Sequence, residues 1–461
     1  MQADLLARRE IPNRKAAPRA VFPLSNIPLS ASQHYWLDRE YHLRESQWLA
    51  FAYDLTGWVN TSLLLAACER FQQRNSILRT IYRETDGKFI QRIVRATPAT
   101  YTNLEGLETS EQEDIVRTDI ADLMKRPQLV GRPPITFNLY RLSTRRHMLA
   151  GAVHHIAMDL RSMALMNSGL FKSYRRMLLG SDRELEIPRQ FREYCEWEAA
   201  RKLDPSRSQS WDNIIRQTPP LEPFGPRSSH AEYIQASDIL VILDGSIVTP
   251  LKKQAQALGA TVQTLLLGLV CAFLAKRTQR REALIGFRAD PRPPAFFDCI
   301  GCFAQLRPFL TRFEDEDSVV DVARRGRLAM AEIMRPAGVL SKFALESHFD
   351  NVGWNYTTDG RNSIDRALPL HTTERTKPAL GDLGLQKKVH YFKRRLIPPA
   401  LRDLRFSVVQ AENEIRLTVY YPRKEGRARE MEAFFAHFIR FLTASLSSPS
   451  RPISESFTST R

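Results

Sequence analysis

The sequence predicts an α/β (α+β layered) protein built as two comparable lobes, and three observations predict it. The chain has 461 residues, too many for one ordinary core and enough for two of about 200 residues each. Strand-like and helix-like periodicities follow one another in mixed order through both halves. Between the halves lies DPSRSQSWDNIIRQTPPLEPFGPRSSHAE, residues 204–232, with the Pro and Ser content of a linker. The lobes are therefore placed at residues 1–205 and 206–461, the first carrying a double-histidine motif.

The elements of the first lobe read in order. PLSASQHYWLDREYH has a polar start and then apolar and aromatic residues at helical spacing. SQWLAFAYDLTGWVN alternates as a strand does and closes on Gly57. An N-cap at Asn60 or Thr61 opens an amphipathic helix, Ser76–Arg83 continues as a strand, and Asp86-Gly87 turns the chain into a returning strand, Lys88–Val94. PITFNLYRLSTRRHMLAGAVHHIAMD gives two strands joined by a basic turn. The second of these, Met148–Val153, delivers two histidines at its end, and LRSMALMNSGLFKSYRRMLLG follows as a helix.

The second lobe restarts the same vocabulary. DILVILDG is a strand, Thr249–Leu258 a helix closed by Gly259, and TVQTLLLGLVCAFLAKRTQ a long buried helix. EALIGF and CIGCFAQLRPFL read as strands, and DSVVDVARRGRLAMAEIM as a helix with acidic residues at its start. LRFSVVQAENEIRLTVYY supplies late strands before a terminal helix, Arg427–Leu446. No repeat of 20–50 residues is visible.

Composition excludes several classes. With 43% hydrophobic and 26% charged residues the chain is globular. Its longest apolar stretch, Leu265–Ala275, is about half of a bilayer crossing. Basic pairs near the start have no apolar run behind them, so no secretory signal is read. Five scattered cysteines, an odd number, argue for a reducing cytoplasm and against a disulfide scaffold. The net charge of +16 favours an acidic partner, or else describes a solvated, Arg-rich surface. No zinc-finger spacing, RNA-binding aromatic motif or continuous basic helix accompanies it, so nucleic acid is not expected.

The chemistry concentrates in VHHIAMDLRS, residues 153–162. Adjacent side chains at a strand end face opposite ways, so His154 and His155 do not share a metal, and no other cluster has ligand spacing. A histidine base with a carboxylate nearby fits better, because imidazole exchanges protons near neutral pH. Asp159 is then placed to orient the loop through an ion pair. The competing reading is a pair of core histidines.

H-H-x-x-x-D, with Ser162 three residues after the aspartate, resembles the signature of nonribosomal-peptide condensation domains in the chloramphenicol-acetyltransferase-like superfamily. LSASQHYWLD resembles that family's opening motif, RNSILRTIY its second, FREYCEWE its fourth, and SWDNIIRQTPPLEP its linker. ATVQTLLLGLVCAFLAKRTQRREALIGF resembles the start of the second lobe and IGCFAQLRPFL the fifth motif. The order is the family's, over nearly the whole chain.

The resemblance implies two chloramphenicol-acetyltransferase-like lobes in a V with a central tunnel. The expected activity is acyl transfer from a thioester, carried on the phosphopantetheine of an acyl or peptidyl carrier protein, to an amine. An alcohol acceptor giving an ester, or a catalytically inactive domain that recruits partners, is the alternative. His155 is the catalytic histidine by this likeness, with His154, Asp159 and Arg292 in support; Arg288 is the other arginine the spacing allows. Leu160, Ser162, Gln305 and Asn355 fall along the substrate tunnel. No bound cofactor and no metal are expected. The partners are a carrier protein and a small-molecule or carrier-bound acceptor, met in trans by a free-standing, monomeric, cytoplasmic enzyme.

The departures are specific. Leu160 stands where the family has glycine, Phe303-Ala304-Gln305-Leu306 replaces the usual Phe-Val-Asn-Thr, and RPAGVLSKFALES lacks a recognisable sixth motif. They point to an unusual acceptor, a small amine or alcohol. Cys299-x-x-Cys302 reads as packing on a strand. GDLGLQ at 381–386 is a chance likeness to a plant acyl-CoA transferase motif, and QKKVHYFKRRL reads as a basic rim for an acidic carrier.

Overall fold

Strand Trp48–Thr56 shows why the first layer forms where it does. Its alternate residues Phe51 and Tyr53 pack with Phe137 and Phe171, while Ala50 and Ala52 face Val116 and Ile120. Both faces are covered, so the segment is apolar almost throughout and its alternation is weak. The computed structural model describes residues 9–10, 27–42, 47–124, 129, 131–181, 187–201, 205–224, 234–335, 340–341, 343–344, 347, 349–358, 377–380, 385–392, 396–397 and 404–458.

The chain divides into two compact units. One comprises the described residues of Met1–Lys202, Arg292–Phe303 and Arg366–Arg394, and the other those of Leu203–Pro291, Ala304–Asp365 and Arg395–Arg461. Two stretches of the second half thus belong with the first unit.

In the first unit the elements are β1 (Arg9–Glu10), α1 (Ala31–His42), β2 (Trp48–Thr56), α2 (Thr61–Arg74), β3 (Thr80–Thr85), β4 (Lys88–Ile93), β5 (Thr100–Asn103), α3 (Thr109–Met124), β6 (Ile135–Ser143), β7 (Arg146–His154), α4 (Leu160–Leu178) and α5 (Phe191–Ala200). The Asn60 cap is present, its side chain accepting from the Leu63 N–H at 3.1 Å. Ser76–Arg79 is a turn of 3-10 helix, so the expected strand begins only at Thr80. Asp86 and Gly87, both with positive φ, make the tight turn of the β3–β4 hairpin. Antiparallel β6 and β7 run to the histidines. At Gly151 an added Cβ would lie 2.1 Å from the Thr136 carbonyl, so only glycine fits between the strands there.

The second unit opens with α6 (Pro205–Gln217), inside the stretch expected to be a linker. Trp211 and Ile215, four apart, give that helix a buried face, and Pro205 at its first turn costs nothing. Residues 225–233 of the same stretch lie outside the described residues. Next come β8 (Ile234–Leu243), α7 (Gly245–Ala257), α8 (Val262–Arg277), β9 (Glu282–Ala289), β10 (Gln305–Arg312), α9 (Val319–Met334) and β11 (Val352–Thr358). Helix α7 starts four residues before the expected Thr249, because Asp244 caps it, and Pro250 lies inside the helix. Strand β10 starts at Gln305, so the reading of Cys299–Cys302 as strand is corrected.

Strands β12 (Lys377–Leu380) and β13 (Leu385–Phe392) return to the first sheet, whose order is β1-β5-β6-β7-β2-β13-β12. β14 (Leu396–Ile397), β15 (Leu404–Gln410) and β16 (Ile415–Pro422) complete the second, β10-β9-β11-β15-β16-β8-β14. Helices α10 (Arg427–Ser447) and α11 (Ile453–Thr458) end the fold. The side chains of the basic stretch QKKVHYFKRRL lie outside the description, as do residues 381–384 of GDLGLQ and parts of RPAGVLSKFALES. Leu265–Ala275 is buried within α8. No single described helix is long and apolar enough to cross a membrane.

Candidate active site

The two histidines leave β7 in different environments. His154 is 0% exposed. Its Nδ1 accepts the Ile156 N–H at 3.1 Å, which fixes the ring proton on Nε2. That edge faces Glu40 Oε2 at 2.8 Å, in an electrostatic contact too bent for a linear hydrogen bond. Glu40 Oε1 in turn accepts the Leu129 N–H. A histidine sealed this way supports the loop.

His155 begins the short 3-10 turn that follows and is half-buried. Its N–H donates to the Gln47 carbonyl at 3.1 Å, and its carbonyl accepts from Met158 at 3.2 Å. The imidazole stacks on the Trp36 indole with centroids 4.7 Å apart and planes 4° from parallel. Trp36 and Glu40 are four residues apart on α1, hence on one face, and each meets one of the adjacent histidines.

Helix α1 is held by its own polar start. Ser30 and Gln33 exchange hydrogen bonds as a capping box, at 2.9 and 3.2 Å. Glu198 of α5 accepts the Ala31 N–H at 2.8 Å, and Tyr194 donates to the other oxygen of that carboxylate at 2.8 Å.

Asp159 closes the loop. Its Oδ1 caps α4 by accepting the Ser162 N–H at 2.8 Å. Arg292 Nη2 reaches both carboxylate oxygens, at 2.8 and 2.6 Å, and Oδ2 also accepts the Phe303 N–H at 2.9 Å. Both charged side chains are buried, where such a pair is viable only when its remaining groups are satisfied. Arg292 also donates to the Cys299 carbonyl at 3.3 Å and lies 4.1 Å over the Phe303 ring. Ser162 Oγ donates to the Gly301 carbonyl at 2.7 Å and accepts the Gly301 N–H at 3.1 Å. A Cβ on Gly301 would lie 2.0 Å from the Phe191 ring, so any larger residue here must displace that ring.

The structure therefore brings His154, His155, Asp159, Ser162 and Arg292 together in the first unit, with Leu160 half-buried at the start of α4. Gln305 and Asn355 lie in the second unit. Gln305 is buried and accepts from Arg307 at 2.6 Å, while Asn355 is half-buried on β11 opposite Ser407. Arg288 sits on β9 opposite Leu306. All five cysteines are buried, and burial pushes the Cys299 thiol up to about 12. Among the described residues no group of three or more His, Cys, Asp or Glu is placed to hold a metal ion. Sequence reasoning missed Trp36, Glu40 and Glu198, and it read Cys302 as packing on a strand. For the first two, the i, i+4 spacing in YWLDRE was the available signal.

Comparison with known proteins gives a consistent likeness. Gramicidin S synthase 2 of Aneurinibacillus migulanus is 23% identical over 412 residues, which is 87% of this chain and 9% of the synthase. The chain thus spans less than a tenth of the length of that relative. Among solved structures, the X-domain from teicoplanin biosynthesis superposes with a TM-score of 0.74 at 21% identity, covering 95% of this chain and 99% of that one. The same X-domain is also known in complex with OxyB. The first condensation domain of the calcium-dependent antibiotic synthetase, bound to a substrate analogue, gives a TM-score of 0.66 at 18% identity, covering 93% and 98%. These two likenesses are of fold. The model of the Condensation domain family matches residues 24–461, and the chain belongs to that family.

Proposed function

We propose that the chain is an acyltransferase that joins a carrier-bound acyl or peptidyl thioester to an amine. The observation that carries this reading is the contrast within the motif: His154 is sealed in the core, and His155 is half-buried on an aromatic platform. In the reaction the amine nitrogen attacks the thioester carbonyl, forming C–N as C–S breaks. His155 takes the proton leaving nitrogen, and the departing sulfur of phosphopantetheine receives one, so the imidazole ends as it began. Holding thioester and amine in line supplies much of the remaining rate.

His154, Asp159 and Arg292 act as supports of the loop. Ser162 is assigned to support of the loop as well, in place of the substrate path, and Gln305, in the second unit, to the hydrogen bonding of its own strand. The Ser162 hydroxyl is buried and used by Gly301, and the Gln305 amide is used by Arg307. Leu160 and Asn355, both half-buried, keep their assignment to substrate. Leu160 fills a position where glycine leaves room, which favours a small acceptor, and an alcohol giving an ester is the second reading.

The test is incubation with a phosphopantetheine-loaded acyl carrier protein and a panel of amines and alcohols, followed by intact-mass detection of products. An amide is the expected outcome, and an ester selects the second reading. Carrier binding without transfer to any free or carrier-bound acceptor would overturn both and point to a recruiting domain, for which the X-domain is the structural parallel.

A further inference from the structure

The imidazole of His155 and the carboxylate of Asp159 are anchored at the same place. Phe303 gives its N–H to Asp159, and the preceding residue, Cys302, accepts the Trp36 Nε1–H on its sulfur at 3.3 Å. Trp36 is buried, turned edge-on to Tyr35 at 4.9 Å, and carried by a helix whose start is fixed by Glu198. Ser32, on the same helix, also donates to the Cys302 carbonyl. The indole is therefore held in the plane of its ring by a hydrogen bond and across it by packing, and the imidazole lies flat on its face.

We propose that Trp36 is a positioning residue for His155, setting the plane of the imidazole, and that Cys302 sets the rotation of the indole. The inference rests on the acyl-transfer reading above and names a residue that serves it. Parallel stacking grips an imidazole by its face and directs both ring nitrogens along the ring plane, where a proton is exchanged. An indole face also attracts the positive charge that the imidazole carries while it holds the proton taken from the acceptor. The stack is thus worth more when the ring is charged than when it is neutral. That difference is what accelerates a step.

Three variants test it: Trp36→Leu removes face and donor, Trp36→Phe keeps a face and loses the donor, and Cys302→Ala removes the acceptor. Trp36→Leu is expected to lower kcat about tenfold with the acceptor KM held within about twofold. Trp36→Phe should recover most of that loss, and Cys302→Ala should fall between Trp36→Phe and the unaltered protein. In parallel, the ring resonance of His155 is read by NMR on protein labelled at the histidine ring carbon and assigned with His155→Ala. The indole ring current should shift that resonance in the unaltered protein, and the shift should vanish in Trp36→Leu and persist in part in Trp36→Phe. An unmoved resonance overturns the proposal, as does an unchanged kcat in a protein that His155→Ala inactivates. If the unaltered protein transfers nothing, the acyl-transfer reading fails by itself, and the resonance still decides whether Trp36 orients the ring.

Discussion

Around Phe273 the second unit is held by rings, and around Asp159 the first unit is held by charge and hydrogen bonds. Phe273, on the buried helix α8, meets Phe434, Phe438, Phe441 and Phe457 at centroid distances of 5.2, 5.2, 5.5 and 5.6 Å. Such a cluster stabilises through area and packing and tolerates many arrangements of similar volume. Asp159 instead accepts from a backbone N–H on each of two segments and from one guanidinium, each at a set distance. The apolar cluster keeps a unit folded, whereas the polar one keeps a particular loop in a particular place. The proton transfer proposed for His155 would need the second kind of restraint, because small displacements cost rate.

The difference can be broken from both sides. The largest effect belongs to Asp159→Ala, which strands the buried Arg292 charge. It should cost about 3–5 kcal/mol of stability and abolish transfer, measured by denaturant unfolding and by product formation. Phe273→Ala should cost a similar amount, about 3–5 kcal/mol, by opening a cavity. Transfer per folded molecule should nevertheless survive, and its loss would show that the two regions are not separable as described. Gly301→Ala comes next. The Phe191 ring must give way to the new methyl group, at about 1–3 kcal/mol, with a larger fall in transfer than in stability.

The smallest effect, read at about pH 9, is alkaline. Burial holds the folded Cys299 thiol up to about 12, whereas an unfolded thiol titrates near 8.5. Above about pH 8.5 the unfolded chain releases a proton that the folded chain keeps, so stability falls as pH rises through that window. Alkylation of the native protein at pH 8 should leave all five buried cysteines unmodified, and urea should expose them.

These regions also differ in how legible they were in the sequence. The second unit's buried helix could be read from LLLGLVCAFLA alone, because continuous burial needs only composition. The double histidine and Asp159 stood out in one short string, and their partner Arg292 was reached only by family resemblance, 133 residues away. Trp36 and Glu40 were not reached, since what makes them matter is the docking of α1 against the turn after β7, a tertiary event. The helix within residues 204–232 was hidden by Pro and Ser around a two-residue apolar face. Cys299 and Cys302 were read as strand because apolar residues surround them, but a glycine fixed against Phe191 and Ser162 keeps that stretch out of the sheet.

The most direct test of the central claim is the transfer rate of His155→Ala, measured with a loaded carrier protein and the best acceptor, beside its unfolding transition. The account predicts a loss of about a hundredfold or more with the transition unmoved. A rate within twofold of the unaltered protein would contradict it.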